Sequence, residues 1–402
     1  MTRTDAAVAV VGAGIVGSCI ALELARRGLD VVLLDRGGPG EGCSFGNSGA
    51  VSAGSVAPLA MPGIVSTLPG MLSDPLGPLH LPLSYLPRAL PWLLAFLASA
   101  RPHRVERSVA RLADLHQDAL RLHRELAQEA GVPELLLERG HLHLYPDAAA
   151  FGKDAAGWRL RAQHGYPYEE LDRDGILALE PAIGSRYRVG ACLRSGHGTI
   201  LNPHRYTSAI AAAAQRQGAA FQRAEVSGLH SEGRGWRIDT AGPPLRARHV
   251  VLAAGAWTPR LLRPLGVQLR LESQRGYHVQ FRGPAPVSRT VVLADRKVFL
   301  TPMEEGLRAG GTVEFGGLER PPTPQRSSML VRIAQEAFDG RDLGACSEWM
   351  GHRPCMPDSV PVVGPAAGLP GLWLATGHGH LGLTDAPRTA LLIAEGLAVA
   401  ER

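Results

Sequence analysis

The run Val8-Ala9-Val10-Val11-Gly12-Ala13-Gly14-Ile15-Val16-Gly17 lies almost at the start of the chain, and a second apolar run, Val31 to Leu34, ends in Asp35 and Arg36. Read in order, these residues are a strand, a glycine turn, a helix, a second strand and an acid, the unit that holds the ADP half of FAD or NAD. Gly12 allows the tight turn, Gly14 lets the backbone approach a pyrophosphate, and Gly17 lets the helix pack on the strand. The helix begins near Ile15 and Val16, so the amide dipoles of its first turn point at the phosphates. It ends at Gly28, after Arg26 and Arg27, where cations suit the macrodipole. Asp35 is placed to take ribose hydroxyls. A turn without a ligand would leave that acid and the bare glycine surface unexplained.

The chain has 402 residues, enough for two intertwined domains or one large one. Its net charge of +5 is carried by arginine, because Lys153 and Lys297 are the only lysines. The arginines interleave with acids, as from Arg101 to Glu125, where Leu112, Leu115, Ala119, Leu122 and Leu126 form an apolar helical stripe. That is a solvated helix over a core, and no nucleic-acid partner is expected. The 5 cysteines show no CxxC spacing and no secretory signal precedes them, which points to reduced thiols in the cytoplasm. Ala89 to Ala98, at about ten residues, is too short to span a bilayer. With Leu79 to Leu86 before it, the stretch 79–98 reads first as a buried helix and second as a peripheral contact with the inner face of the cell membrane.

Further along, a Gly- and Ser-rich loop runs from Gly37 to Gly54, and Pro58 to Pro91 is proline-dense, a crossing into a second domain. Leu135 to Tyr145 alternates like a strand pair around Gly140. Asn202-Pro203-His204 opens a helix to Gln217, and Phe221 to Leu229 with Trp236 to Thr240 reads as a hairpin. His249 to Trp257 is a buried strand ending in the turn at Gly255; Glu272 to Phe281, Thr290 to Pro302 and Gly310 to Phe315 alternate as strands. A last buried strand, Gly371 to Ala375, leads through Thr376-Gly377-His378-Gly379-His380-Leu381-Gly382 into a helix from Thr384 to Val399. The pattern predicts an α/β plus α+β fold. A Rossmann-like FAD-binding domain is assembled from residues 1–62, 196–264 and 340–402, and an antiparallel-sheet substrate domain, 63–195 and 265–339, is interleaved with it. A nicotinamide dehydrogenase usually keeps its Rossmann half contiguous, so this layout favours FAD.

The fingerprint, the loop Cys43-Ser44-Phe45-Gly46-Asn47-Ser48-Gly49, the strand to Gly255, Arg275-Gly276-Tyr277-His278, Gly351-His352-Arg353-Pro354 and Gly377 to Gly382 occur in the order seen in the D-amino-acid oxidase (DAO) superfamily of FAD enzymes. Within it, the chain most resembles bacterial FAD-dependent D-amino-acid dehydrogenases. The resemblance implies a fold of the glutathione-reductase/DAO type and a non-covalent FAD, Cys355 being read as a buried thiol. It places Ser44, Asn47 and Ser48 along the pyrophosphate and towards the ring, and Val226 near the adenine through its backbone. It brings Gly377, Gly379, His380, Leu381, Gly382 and Thr384 to the pyrimidine edge, where helix amides favour the negative charge of the reduced ring. His378 and His380 either face the flavin or serve the surface or core.

The same resemblance makes Arg353 the clamp on the substrate carboxylate, a role that needs a planar fork. The other reading is a structural ion pair with Asp358. Tyr277 and His278 are candidates to line the pocket, but neighbours on a strand point to opposite faces, so at most one can. The implied reaction is oxidative deamination of a D-amino acid to a 2-oxo acid and ammonia, by hydride transfer from Cα to flavin N5. Hydroxy-D-proline, other proline-like amines, sarcosine and glycine suit the same clamp. Related sarcosine oxidases carry a lysine near the flavin that helps oxygen react; Arg308 falls at about that place, which favours a respiratory quinone as acceptor. The non-enzymatic alternative is a flavoprotein that serves as a redox partner or in assembly.

Overall fold

The computed structural model describes residues 5–64, 77 and 79–400. The first sheet grows from β1 (Asp5–Val11) and β2 (Val31–Asp35), both short apolar runs buried on their two faces, as parallel strands covered by helices must be. β10 (Ala220–Arg223) extends it beyond β2, and β13 (Leu245–Leu252) runs parallel to β1 on the other side. At its far edge β13 pairs first with the hairpin β11 (Val226–Glu232) and β12 (Gly235–Thr240) and then with β20 (Leu372–Thr376), which carries β19 (Val362–Pro365). The helix Ile15–Arg26 packs between the helices Pro203–Arg216 and Gly382–Ala400, and their apolar faces form one core with β1 and β2. The Asn202 side chain caps the helix it precedes, accepting from Arg205 N at 2.9 Å.

The second sheet runs in the order β18 (Cys346–Cys355), β14 (Glu272–Phe281), β17 (Gly306–Phe315), β16 (Val298–Met303), β15 (Thr290–Leu293), β6 (His141–Tyr145), β8 (Val189–Leu193) and β7 (Glu169–Leu171), with β4 (Leu79–His80) against β17. It is antiparallel except where β15 meets β6 and β17 meets β4. A small third sheet joins β3 (Ala50–Ser52), β9 (His197–Ile200) and β5 (Leu136–Leu137).

Four expectations change. Leu135 to Tyr145 is not a strand pair, because β5 and β6 belong to different sheets. Arg101 to Glu125 is not one helix: Asp118, at φ 59°, breaks it into Pro102–His116 and Ala119–Ala130. The second of these packs on the helices of the first domain, not on the substrate sheet. The boundary expected at 340 also moves, since β18 pairs with β14 over all ten residues and so belongs to the second sheet. The proline-dense crossing from Pro58 to Pro91 lies partly outside the described residues.

Three neutral histidines are sealed in the interior, His141 and His197 where the small sheet meets the second one and His123 on the helix Ala119–Ala130. His141 donates Nε2–H to Gly198 O at 2.8 Å, His197 donates Nδ1–H to Ser195 O at 2.7 Å, and their rings meet edge-on at 5.0 Å. His123 bridges Tyr206 Oη and Leu383 O at 2.9 and 2.8 Å. Burial pulls His141 and His123 down to about 4 and His197 to about 3. The unfolded chain takes up protons at these positions below about pH 6.5, while the native protein does not until near pH 4. Their contribution to stability is thus complete above about pH 6.5 and falls by about 1.4 kcal/mol per pH unit for each histidine on acidification, flattening as the native imidazoles protonate. Urea unfolding midpoints should drop steeply between pH 7 and 5; a flat profile contradicts the buried neutral state.

Candidate active site

The turn after β1 is built so that only glycine fits its inner positions. Gly12 has φ 108°, and a Cβ there would lie 2.4 Å from Ala253 O; at Gly17 it would lie 1.8 Å from Gly12 O. Gly14 differs: the only atom within 4 Å of a Cβ built on it is Ser44 Oγ at 3.3 Å, so its outer face is open to a ligand. Gly14 is also the N-cap of Ile15–Arg26 and makes no side-chain cap. The Asp35 carboxylate accepts from Ala13 N at 2.7 Å and Gly37 N at 2.9 Å, which locks the acid at the end of β2 beside this turn. Arg36 lies 4.3 Å over the Trp257 ring, just beyond Gly255, which has φ 52°. Val226 opens β11, two residues after Ala224 N donates to Asp35 O. An open glycine face, a helix N-terminus in which Ser44 takes only the first amide, and a fixed acid are what a dinucleotide pyrophosphate and ribose require, so the residues fit FAD.

Arg353 lies on β18 opposite Gln274 of β14, and its guanidinium reaches across Gly276, where a Cβ would sit 2.2 Å from Cζ. The register of β14 against β17 slips at this point: Arg275 faces Glu314 and Tyr277 faces Gly311, so two residues of β17 oppose Gly276 alone. The extra residue is in a bulge with Thr312 at φ 59°, an uncommon conformation for a β-branched residue. It turns two carbonyls onto the arginine, which donates to Thr312 O at 2.7 Å and Gly311 O at 3.3 Å. Among the described residues Arg353 has no carboxylate partner, and the expected alternative, a pair with Asp358, is not formed; Asp358 accepts from Val360 N instead. Burial lowers the Arg353 pKa, against the opposing influence of the Cys43 and Cys355 thiols. Cys355 is itself raised to about 12 by burial. An enclosed cation held only by carbonyl dipoles is a site for an anion.

Strand alternation separates Tyr277 from His278. Gly276 and His278 share the face that carries Arg353, while Arg275 and Tyr277 point into the core against the helix Pro324–Glu336. Tyr277 Oη donates to Glu314, which also accepts from Thr323 Oγ1 at 2.7 Å and lies 3.6 Å from buried Arg275. Tyr277 is therefore removed from the pocket-lining residues. His278 stacks on Trp349 with centroids 5.2 Å apart and donates Nδ1–H to Gly46 O at 3.1 Å. Burial first, then Arg308 and Arg353, pull its pKa to about 3, so it presents a neutral wall.

The loop from Ser44 to Ser48 is clamped between the two sheets. Ser44 Oγ accepts from Ile15 N at 2.9 Å, so its oxygen serves the first helix amide. Asn47 Oδ1 accepts from Gly49 N at 2.8 Å, and Ser48 Oγ lies against Gly310, 2.6 Å from where a Cβ would be. Arg308 donates to Asn47 O at 2.6 Å, Phe45 O at 3.2 Å and Gln280 Oε1 at 3.0 Å. Neither this anchoring nor the bulge at Thr312 was legible in the sequence; only the paired strands bring these partners together.

At the other end, Gly377 (φ 90°) and Gly379 (φ 57°) shape the turn before the last helix, and Gly379 N donates to Pro354 O at 2.8 Å, tying the turn to the arginine motif. His378 is buried and bonded to Thr389 Oγ1 at 3.0 Å, which gives it a core role. His380 and Leu381 line a recess with Met356, Leu59 and Ala57. The His380 side chain is solvent-accessible there although protein surrounds the recess, and this enclosure and Arg353 lower it to about 4. Thr384 Oγ1 accepts from Ser52 N at 3.0 Å, leaving its backbone as the part available to a cofactor at the start of Gly382–Ala400.

A glycine cradle fit for a dinucleotide on one sheet and an enclosed arginine without an acid partner on a second fit a flavoprotein oxidoreductase. Residues 7–396 match the family of FAD dependent oxidoreductases (DAO), and the chain belongs to that family. It is 41% identical to a D-amino-acid oxidase of Bradyrhizobium diazoefficiens, over 97% of this chain and 94% of that one. It is 37% identical to a D-amino acid dehydrogenase of a Methylobacterium species, over 96% and 94%. Among solved structures, glycine oxidase from Geobacillus kaustophilus superposes with a TM-score of 0.76 at 24% identity, covering 99% of this chain and 95% of that one, and shares its fold. FAD is the cofactor.

Proposed function

We propose that this chain is a dehydrogenase that oxidises D-amino acids to 2-oxo acids and ammonia, with FAD held non-covalently and electrons passed to a quinone. The observation that carries the reading is Arg353, enclosed, turned onto the cleft face and without an acid of its own. The names of the full-length relatives support a D-amino acid as the substrate. FAD, when bound, supplies the two-electron acceptor. The chain supplies the rest: Arg353 grips the carboxylate and fixes the Cα, while the neutral His278–Trp349 pair excludes water beside it. Arg308 supports the acceptor assignment, because its guanidinium is taken up by Gln280, Phe45 and Asn47. Anaerobic titration of the yellow protein tests the whole reading. D-Alanine or a D-proline should bleach the flavin and the L-forms should not; bleaching by no amino acid favours a redox-partner role.

A specific observation supports peripheral membrane contact. The helix Leu86–Ser99 is buried on one side only, with Ala89 and Trp92 in the core, while Leu83, Leu86, Leu90 and Leu94 stay exposed. No helix among the described residues is long and apolar enough to cross a membrane. From Leu79 to Val105 the chain carries Arg88, Arg101 and Arg104 but no acid, which suits an anionic lipid surface. Replacing Leu83, Leu90 and Leu94 together by Asp should abolish co-sedimentation with vesicles containing phosphatidylglycerol while leaving flavin bleaching intact. Equal sedimentation of both proteins removes this contact.

A further inference from the structure

Asp385 stands in the first turn of Gly382–Ala400 with its side chain 1% exposed, and His116 Nε2 lies 3.1 Å from it with that ring fully buried. Neither side chain makes a hydrogen bond among the described residues; the two are in ion-pair contact only. His116 is the last residue of Pro102–His116, so the two helices meet end to end: the acid is at a helix N-terminus and the imidazole at a helix C-terminus. Each occupies the end where its own macrodipole favours its charge. The other groups that feel Asp385 are His123, His378 and His380; the first two are committed to Tyr206 and Leu383 O and to Thr389, and His380 lines the recess. Arg388, on the same helix, turns to Asp114 at 3.9 Å. This leaves His116 as the one side chain in direct contact with the Asp385 carboxylate among the described residues.

We propose that the His116–Asp385 pair sets the electrostatic potential that the start of the last helix presents to the flavin, with His116 as a positioning residue that cancels the carboxylate. The proposal rests on the placement of Gly377 to Thr384 at the pyrimidine edge. Reduction builds negative charge at that edge, and the helix amides favour it. A lone carboxylate one turn inside would oppose the same amides and disfavour reduction. Paired with His116, the helix keeps its favourable field.

The test is the midpoint potential of the FAD-loaded protein, read by spectral equilibrium with a reference dye at pH 8. His116→Gln leaves the carboxylate uncancelled and should shift the oxidised-to-reduced equilibrium at least tenfold towards oxidised, about 30 mV for a two-electron couple. Adding Asp385→Asn to it should restore the wild-type value, a rescue that general damage to the fold does not give. A shift below threefold in His116→Gln, or a double variant as low as the single one, overturns the proposal. Should His116→Gln fail to fold, Asp385→Asn alone decides, since it must not lower the potential. Failure of the underlying functional reading looks different: wild-type protein would then carry no FAD or would not bleach with any amino acid.

Discussion

Arg353→Ala is expected to raise the amino-acid concentration needed to bleach the flavin by about 30- to 4000-fold, while FAD stays bound. The estimate follows from removing one partner of an enclosed charge pair, which costs about 2–5 kcal/mol. The fork donates to Thr312 O and Gly311 O on one side, and its remaining N–H groups are those the proposed clamp would use on the substrate carboxylate. Arg353→Lys should recover only part of the loss, because an ammonium cannot bridge two carbonyls and a carboxylate in one plane. The nucleotide turn lies on the other sheet, so the yellow colour should survive both changes. A stopped-flow reductive titration, with FAD content measured alongside, separates the outcomes. Unchanged saturation by D-alanine in Arg353→Ala would refute the clamp, and loss of FAD would assign the arginine to the cofactor instead. A related and smaller effect is expected at Gly276: the Cβ of Gly276→Ala would displace the guanidinium, and should weaken substrate binding without touching Arg353 itself.

Gly17→Ala should yield protein without FAD and of sharply reduced stability. Its Cβ would stand 1.8 Å from Gly12 O, a backbone atom that cannot move without opening the turn. Gly12→Ala combines φ 108° with a contact of 2.4 Å to Ala253 O. Overpacking of this kind costs at least about 1–3 kcal/mol even where neighbours can shift. Here the neighbours are the strand and turn that define the pyrophosphate site. Gly28→Ala is the matched control: φ is 77° but nothing lies within 4 Å, so only about 1–2 kcal/mol of left-handed strain is expected and FAD should remain. Flavin absorbance per polypeptide and thermal midpoints of the three variants give the comparison. Stoichiometric FAD in Gly17→Ala would show that the turn is looser than its geometry.

Much of the cofactor half is visible along the chain because its determinants are local. Gly12, Gly14 and Gly17 act within one turn, and Asp35 ends the very next strand, so spacing carries the information. The strand Val250 to Leu252 and the final helix are likewise marked by period and by flanking glycines, whereas the expected hairpin arm Phe221 to Leu229 is split: Phe221 lies in β10 against β2, and only the residues from Val226 onward pair with β12. The substrate half was harder to read. Alternation along β14 limits the pocket to one of Tyr277 and His278, but it cannot name which, since the pattern is the same from either side. A one-residue bulge in β17, invisible in composition or period, aims two carbonyls at Arg353. Pairing between β14 and β18 is likewise what moves the boundary near 340, and no linker composition marks it.

The amino-acid order by itself marked a dinucleotide-type turn near the start of the chain and carried the resemblance to FAD oxidoreductases that the family match bears out. Only the tertiary structure decided which face of β14 carries Arg353 opposite it, that Arg308 holds the loop at Phe45 and Asn47, and that His116 meets Asp385 across 269 positions of chain. The reason is physical. Turn geometry and helix dipoles act between neighbours in sequence, whereas strand register and buried charge pairing act between segments whose distance along the chain carries no signal.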